Sequence, residues 1–326
     1  MGVIDPSTTY TFFYALPCAF LLGYFLPLFL RREEGQAVVP PHHYWWWTVP
    51  ASFLVCLSGP LNPGAVLVVV VLLVGRSVMR AYREGRRGVW MLLRSLPAAY
   101  IPFLLPVGIL SVYSLYLGQY NSITIGTRIP LADMYARLPL GLYHQFTQKL
   151  GYPLLLAVIT LAPILISRWY ATREGRCIVQ MAKWVGAFAV LYILLLPLGG
   201  YREYRSLILR YDTIMPITLA LMVIVAASAL HILKEAPLRY RRPYILLLTG
   251  FAAIFTVADE PGFGNDRCER EALAAIAASP VTVIPLEQTC SVLEWRPIAT
   301  AEESELNAAL LLHWRGGARS KLYYNF

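Results

Sequence analysis

Charge is what this sequence most lacks. Only 14% of its 326 residues are Asp, Glu, Lys or Arg, while 57% are apolar. A soluble domain carries about 25% charged residues. That composition excludes a water-soluble enzyme, a disordered tail and a disulfide-dense secreted module. Chemical signatures are scarce too. The chain has no Walker-type Gly-rich loop, no Gly-x-Ser-x-Gly elbow and no Cys-x-x-Cys pair. Its five histidines include the adjacent His42 and His43, which point in different directions on a helix, and His231 and His313, which default to structural roles. No metal and no cofactor is expected. Hardly any acid or base falls inside a hydrophobic run, which argues against an ion-coupled transporter.

What is present is a series of long apolar runs. About 20 apolar residues cross a bilayer, and eight segments qualify, near 9–30, 45–58, 64–79, 95–117, 150–167, 178–198, 213–232 and 242–257. The fold class is therefore an α-helical integral membrane protein of about eight transmembrane helices. The second and third are short, and the turn Ser58 to Gly64 joins them as a tight helical hairpin. Pro97, Pro102 and Pro106 predict a kinked fourth helix. The aromatic run Tyr44 to Trp47 reads as an interfacial belt.

Alternate loops differ in charge. One set holds 16 Lys and Arg, among them Arg76, Arg80, Arg168, Arg173, Lys234 and Arg241; the opposite set holds six. The positive-inside rule places the first set in the cytoplasm and both termini outside, in an inner or plasma membrane. The first span is expected to be a retained helix, because no small-residue cleavage site follows it. Basic residues between spans contact lipid headgroups, so nucleic acid is not an expected partner.

Two domains follow: residues 1–257, with 22 Lys/Arg against 9 Asp/Glu, form the transmembrane part; residues 258–326, with 6 against 10, form a small acidic extracytoplasmic α/β domain. In the second, Asp266 to Glu269 and Thr300 to Glu303 read as capping boxes. Helices then follow, the later one carrying Leu306, Leu310 and Trp314 on one face. Residues 281–285, 291–296 and 321–325 read as strands. Cys268 and Cys290 are either a disulfide, which an oxidising compartment permits, or two unrelated buried thiols.

The outer loops carry arginines against the local charge bias. Asp133 precedes Arg137 by one helical turn. Leu140, Tyr143 and Phe146 are spaced for a helix lying on the membrane, with His144, Gln145 and Gln148 toward water. Further on stand Arg202, Glu203, Arg205 and Arg210-Tyr211-Asp212; if helical, Arg202, Arg205 and Ser206 share a face. One reading is a phosphate site, since guanidinium forks bind phosphate oxygens in pairs. The other is contact with lipid headgroups or with the acidic domain.

The stretch Arg210-Tyr211-Asp212-Thr213-Ile214-Met215-Pro216, running on to Ala220, resembles the Arg-Tyr…Pro element that opens a late helix in polytopic GT-C glycosyltransferases. These use polyprenyl-phosphate-linked sugars. The resemblance implies a lipid phosphate beside Arg210, with Arg202, Arg205, Tyr211 and Arg137 as further binding residues. The family's acidic motif in the first outer loop has no counterpart here, so its catalytic residue is not carried over. Position alone makes Asp133 the catalytic base expected, with Asp212 or Glu203 next. Two functions remain open: a glycosyltransferase-like enzyme using a polyprenyl-phosphate carrier at the outer face, or a non-catalytic membrane scaffold that presents its C-terminal domain to a protein partner.

Overall fold

The computed structural model describes residues 11–30, 45–85, 101–120, 129–147, 150–199, 207–257, 266–294, 297–315 and 320–325. The chain divides into two compact units, Met1–Asp259 and Glu260–Phe326, a boundary two residues beyond the one expected.

The first unit is helical: α1 (Leu16–Leu30, preceded by a π-helical turn), α2 (Trp45–Leu57), α3 (Asn62–Arg83), α4 (Ile101–Gly118), α5 (Leu131–Thr147), α6 (Gly151–Trp169), α7 (Arg173–Leu195), α8 (Met215–Glu235) and α9 (Leu238–Val257). Five of the described helices are long and apolar enough to cross a membrane: α3, α4, α6, α7 with its short 3-10 extension, and α8. The apolar stretches in α1 and α2 are shorter. These helices fit integration into a lipid bilayer.

α2 and α3 are joined by the short turn expected, but they touch each other only lightly. Both pack chiefly against α4. Backbone polar groups explain the preference, because inside a membrane each must find a partner within the protein. Pro106 has no N–H to give the carbonyl of Pro102 one turn earlier, and the Thr48 hydroxyl of α2 donates to it at 3.3 Å. Cys56, two turns further along α2, lies 3.3 Å from the Ser111 hydroxyl of α4. Tyr24 of α1 stacks on Phe103 with ring centroids 4.6 Å apart. The turn between α2 and α3 is fastened by Asn62, fully buried, whose amide donates to the carbonyls of Pro17 and Val55, both at 2.8 Å. Gly59 allows α1 this close, since a Cβ there would sit 2.7 Å from Pro17. Pro97 lies outside the described residues.

The second unit holds α10 (Arg267–Ala278), β1 (Val283–Leu286), α11 (Glu305–Arg315) and β2 (Leu322–Asn325). β1 and β2 pair in parallel, with Val283 opposite Leu322. Among the described residues 291–294 there is no strand, and 295–296 lie outside them. Ala272, Ile276, Ile284, Val292, Ile298 and Tyr323 form the core. Cys268 and Cys290 are joined by a disulfide. Neither expected capping box forms. Asp266 sits at ψ 0°, outside the extended region that aims a cap back at the helix, and its carboxylate accepts from Arg270 instead. Thr300 makes no side-chain cap. The C-terminus of α10 is capped by Lys321, whose ammonium donates to the carbonyls of Ile276, Ala277 and Ser279. α11 turns Asn307 and Ala308 inward and leaves Leu306, Leu310 and Trp314 80%, 39% and 68% exposed.

Candidate functional site

The residues expected to bind a lipid phosphate converge only in part. Arg202 and Arg205 lie outside the described residues, as does Glu203. Arg210, Tyr211 and Asp212 belong to a run of turns over residues 207–214 that leads into α8.

This run is held from several sides. Gly141 of α5 presses on Leu209 so closely that a Cβ would lie 2.9 Å from the Leu209 carbonyl oxygen. Tyr192 of α7 donates to the Thr213 carbonyl at 3.0 Å. Tyr152 of α6 stacks on Tyr211 with centroids 5.8 Å apart and shares a hydrogen bond with Thr218 of α8 at 2.7 Å. Burial raises the Tyr211 phenol above its usual range, so it stays neutral near pH 7.

Within the run, Arg210 grips Asp212 as a fork: Nε donates to Oδ1 at 2.9 Å and Nη2 to Oδ2 at 2.7 Å. Nη1 donates to the Leu207 carbonyl, and the Thr213 amide donates to Asp212 Oδ1 at 3.0 Å. The Asp212 side chain is 1% exposed and that of Arg210 25%. Three of the five guanidinium N–H groups thus find partners among the described residues. Asp212, expected as an alternative base, is the buried counter-ion of Arg210.

Asp133 stands in the first turn of α5, exposed, and makes no hydrogen bond or ion pair with Arg210. Arg137 is half-buried one turn later. Of the two faces expected for this helix, the one expected toward water is overturned at Gln145. Met134, Leu138, Gly141 and Gln145 form the buried side, whereas Leu140 and Tyr143 are exposed. Gln145, expected toward water, is 4% exposed; Gln148 lies outside the described residues.

One open groove of about 730 Å³ runs between α3 and α4, lined by aliphatic residues such as Leu67, Val70 and Ile109 with Tyr113 and Tyr116. Among the described residues its lining carries no carboxylate, amine, guanidinium or imidazole and is almost wholly apolar.

A second cluster was not legible as a site. His231, assigned no partners from sequence, lies with Glu174 and Glu235, and their ligand atoms fall within 4.8 Å of one another. The i, i+4 spacing of His231 and Glu235 was a signal available in the sequence, but Glu174 arrives from α7, 60 residues before Lys234. No family model, curated protein or solved structure matches the chain.

Proposed function

We propose that this chain is a multi-pass membrane protein, crossing eight times with both termini extracytoplasmic, that presents its C-terminal unit to a protein partner. One observation supports this above the others. The disulfide-fastened unit carries Leu306, Leu310 and Trp314 in a single exposed stripe on α11, while the same helix has a separate buried side that completes the core. An apolar stripe of that kind on an otherwise charged unit is what a partner covers.

The second reading, a glycosyltransferase-like enzyme acting on a polyprenyl-phosphate-linked donor, draws on the one-quarter exposure of the Arg210 side chain, which leaves part of its guanidinium open to a ligand. Asp133 would then take the acceptor proton, and Arg202, Arg205, Arg137 and Tyr211 would complete the phosphate site. Native mass spectrometry of the gently extracted protein, with identification of whatever co-purifies, separates the two. A heteromeric complex that dissociates in Leu306→Ser/Trp314→Ser and persists in Arg210→Ala supports the presenting role. A retained polyprenyl phosphate, lost in Arg210→Ala and indifferent to the α11 changes, replaces it with carrier-lipid chemistry. A monomer carrying bulk phospholipid alone removes both.

A further inference from the structure

We propose that Glu174, His231 and Glu235 form a binding site for a divalent transition-metal ion of the zinc class, at the end of the helix bundle where α7 begins and α8 ends. Sequence reading anticipated no metal; the arrangement of these three side chains revises that.

The imidazole is the centre of the case. His231 is 4% exposed, and its two nitrogens meet different surroundings. Nε2 lies 3.2 Å from the Tyr170 carbonyl oxygen and 3.5 Å from the Thr172 hydroxyl. A carbonyl oxygen only accepts, so the ring proton belongs on Nε2 and the lone pair on Nδ1. Nδ1 is buried with no hydrogen-bond partner among the described residues and lies 3.9 Å from the Glu174 carboxylate, beyond hydrogen-bond reach. The buried lone pair lies in one cluster with the Glu174 and Glu235 carboxylates, three groups of the kind that ligate a divalent cation. Histidines that ligate metals characteristically donate their other N–H to a backbone carbonyl, as His231 does here.

The ring cannot swing away. Gly175, in the first turn of α7, is pressed against it, and a Cβ there would lie 2.8 Å from Nε2 and 2.6 Å from the Tyr170 carbonyl oxygen. Thr172 caps the same turn by accepting from the Gly175 amide at 3.1 Å. The two carboxylates, by contrast, are exposed and adjustable. Tetrahedral ligands about 2.1 Å from zinc sit about 3.4 Å apart, and rotation of Glu174 and Glu235 brings the 4.8 Å cluster to that spacing. The C-terminal end of α8, where Glu235 stands, adds the negative end of the helix dipole.

Lys234 competes for this place. Its ammonium lies 3.0 Å from both oxygens of Glu174, but it is 64% exposed, and an exposed pair yields readily to a stronger cation. Arg241 is turned to the carbonyls of Lys234 and Ala236 rather than to the carboxylates. Imidazole with two carboxylates suits zinc better than magnesium, which prefers oxygen alone and keeps its waters.

The test is titration of the full chain in detergent with Zn²⁺, followed by calorimetry, with Mg²⁺ as the comparison. One Zn²⁺ per chain is expected, bound at least tenfold more weakly in Glu235→Gln and in His231→Gln. Affinity should rise in Lys234→Met, where the competing ammonium is removed. Glu235 is exposed, so its variant keeps the test intact should the His231 variant fail to fold. Zn²⁺ binding indifferent to Glu235→Gln, no binding at all, or Mg²⁺ bound as tightly as Zn²⁺ would each overturn the site.

Discussion

At the scale of single residues, the pairing of Arg210 with Asp212 makes an asymmetric prediction. Asp212 is the more deeply buried partner, so removing the arginine leaves a buried carboxylate without its counter-ion. Arg210→Ala should cost about 3 kcal/mol, in the range for breaking a buried pair. Asp212→Ala leaves a guanidinium whose exposed quarter reaches water, and should cost about 1–2 kcal/mol. Thermal unfolding of both variants in detergent checks the order; an Asp212→Ala variant less stable than Arg210→Ala would contradict it. From sequence, Arg210 read as a surface cation waiting for an anion. Its anion is two residues away, and proximity along the chain gave no indication of which of the two charges would be buried.

At the scale of elements, the Thr48 bond to Pro102 is a repair of what Pro106 removes. Thr48→Val should cost about 1 kcal/mol, the usual worth of such a bond. Restoring an N–H with Pro106→Ala should make Thr48→Val nearly neutral, and the double-mutant cycle reads the coupling directly. Apolar runs announced the helices well, because lipid demands about 20 apolar residues whatever the neighbours. How helices face one another was far less legible. In water an apolar residue at the surface is costly, so apolarity reports burial; where lipid covers a surface it does not. Gln145 of α5, expected toward water, is buried, while the apolar Leu140 and Tyr143 are exposed. The same ambiguity hid α4 as the shared partner of α2 and α3. The expected cap at Asp266 failed for a different reason, since it has the residue type of a cap without its backbone conformation.

At the scale of the whole molecule, the two units should lose structure under different conditions. The disulfide closes a separation of 22 residues in a unit with a small core, and cross-links of that span contribute about 3 kcal/mol. Reduction should lower the unfolding temperature of Glu260–Phe326 and leave that of the helical unit unchanged, giving two resolved transitions in calorimetry. Alkali offers a second handle. Tyr323 is fully buried, and burial pushes its phenol up to about 12 from an ordinary value of 10. Its contribution is complete below about pH 10 and is lost as pH rises toward 12, because the unfolded chain releases the proton first. Tyr323→Phe should flatten the stability of this unit over that window, at the loss of the bond to the Val292 carbonyl.

Thr48, Ser52 and Cys56 stand one above another along α2, and two of them find their partners on α4, with 54 residues between Thr48 and Pro102. A ribosome adding about 5–20 residues per second takes roughly 3–10 s to cover that distance. For that interval α2 has left the ribosome with Ser52 able to meet Tyr24 of α1 but Thr48 and Cys56 not yet joined to α4. The translation clock thus sets a dwell during which the insertion machinery must hold α2, and chains stalled before Ile101 should leave it extractable from the membrane while chains stalled beyond Gly118 should not.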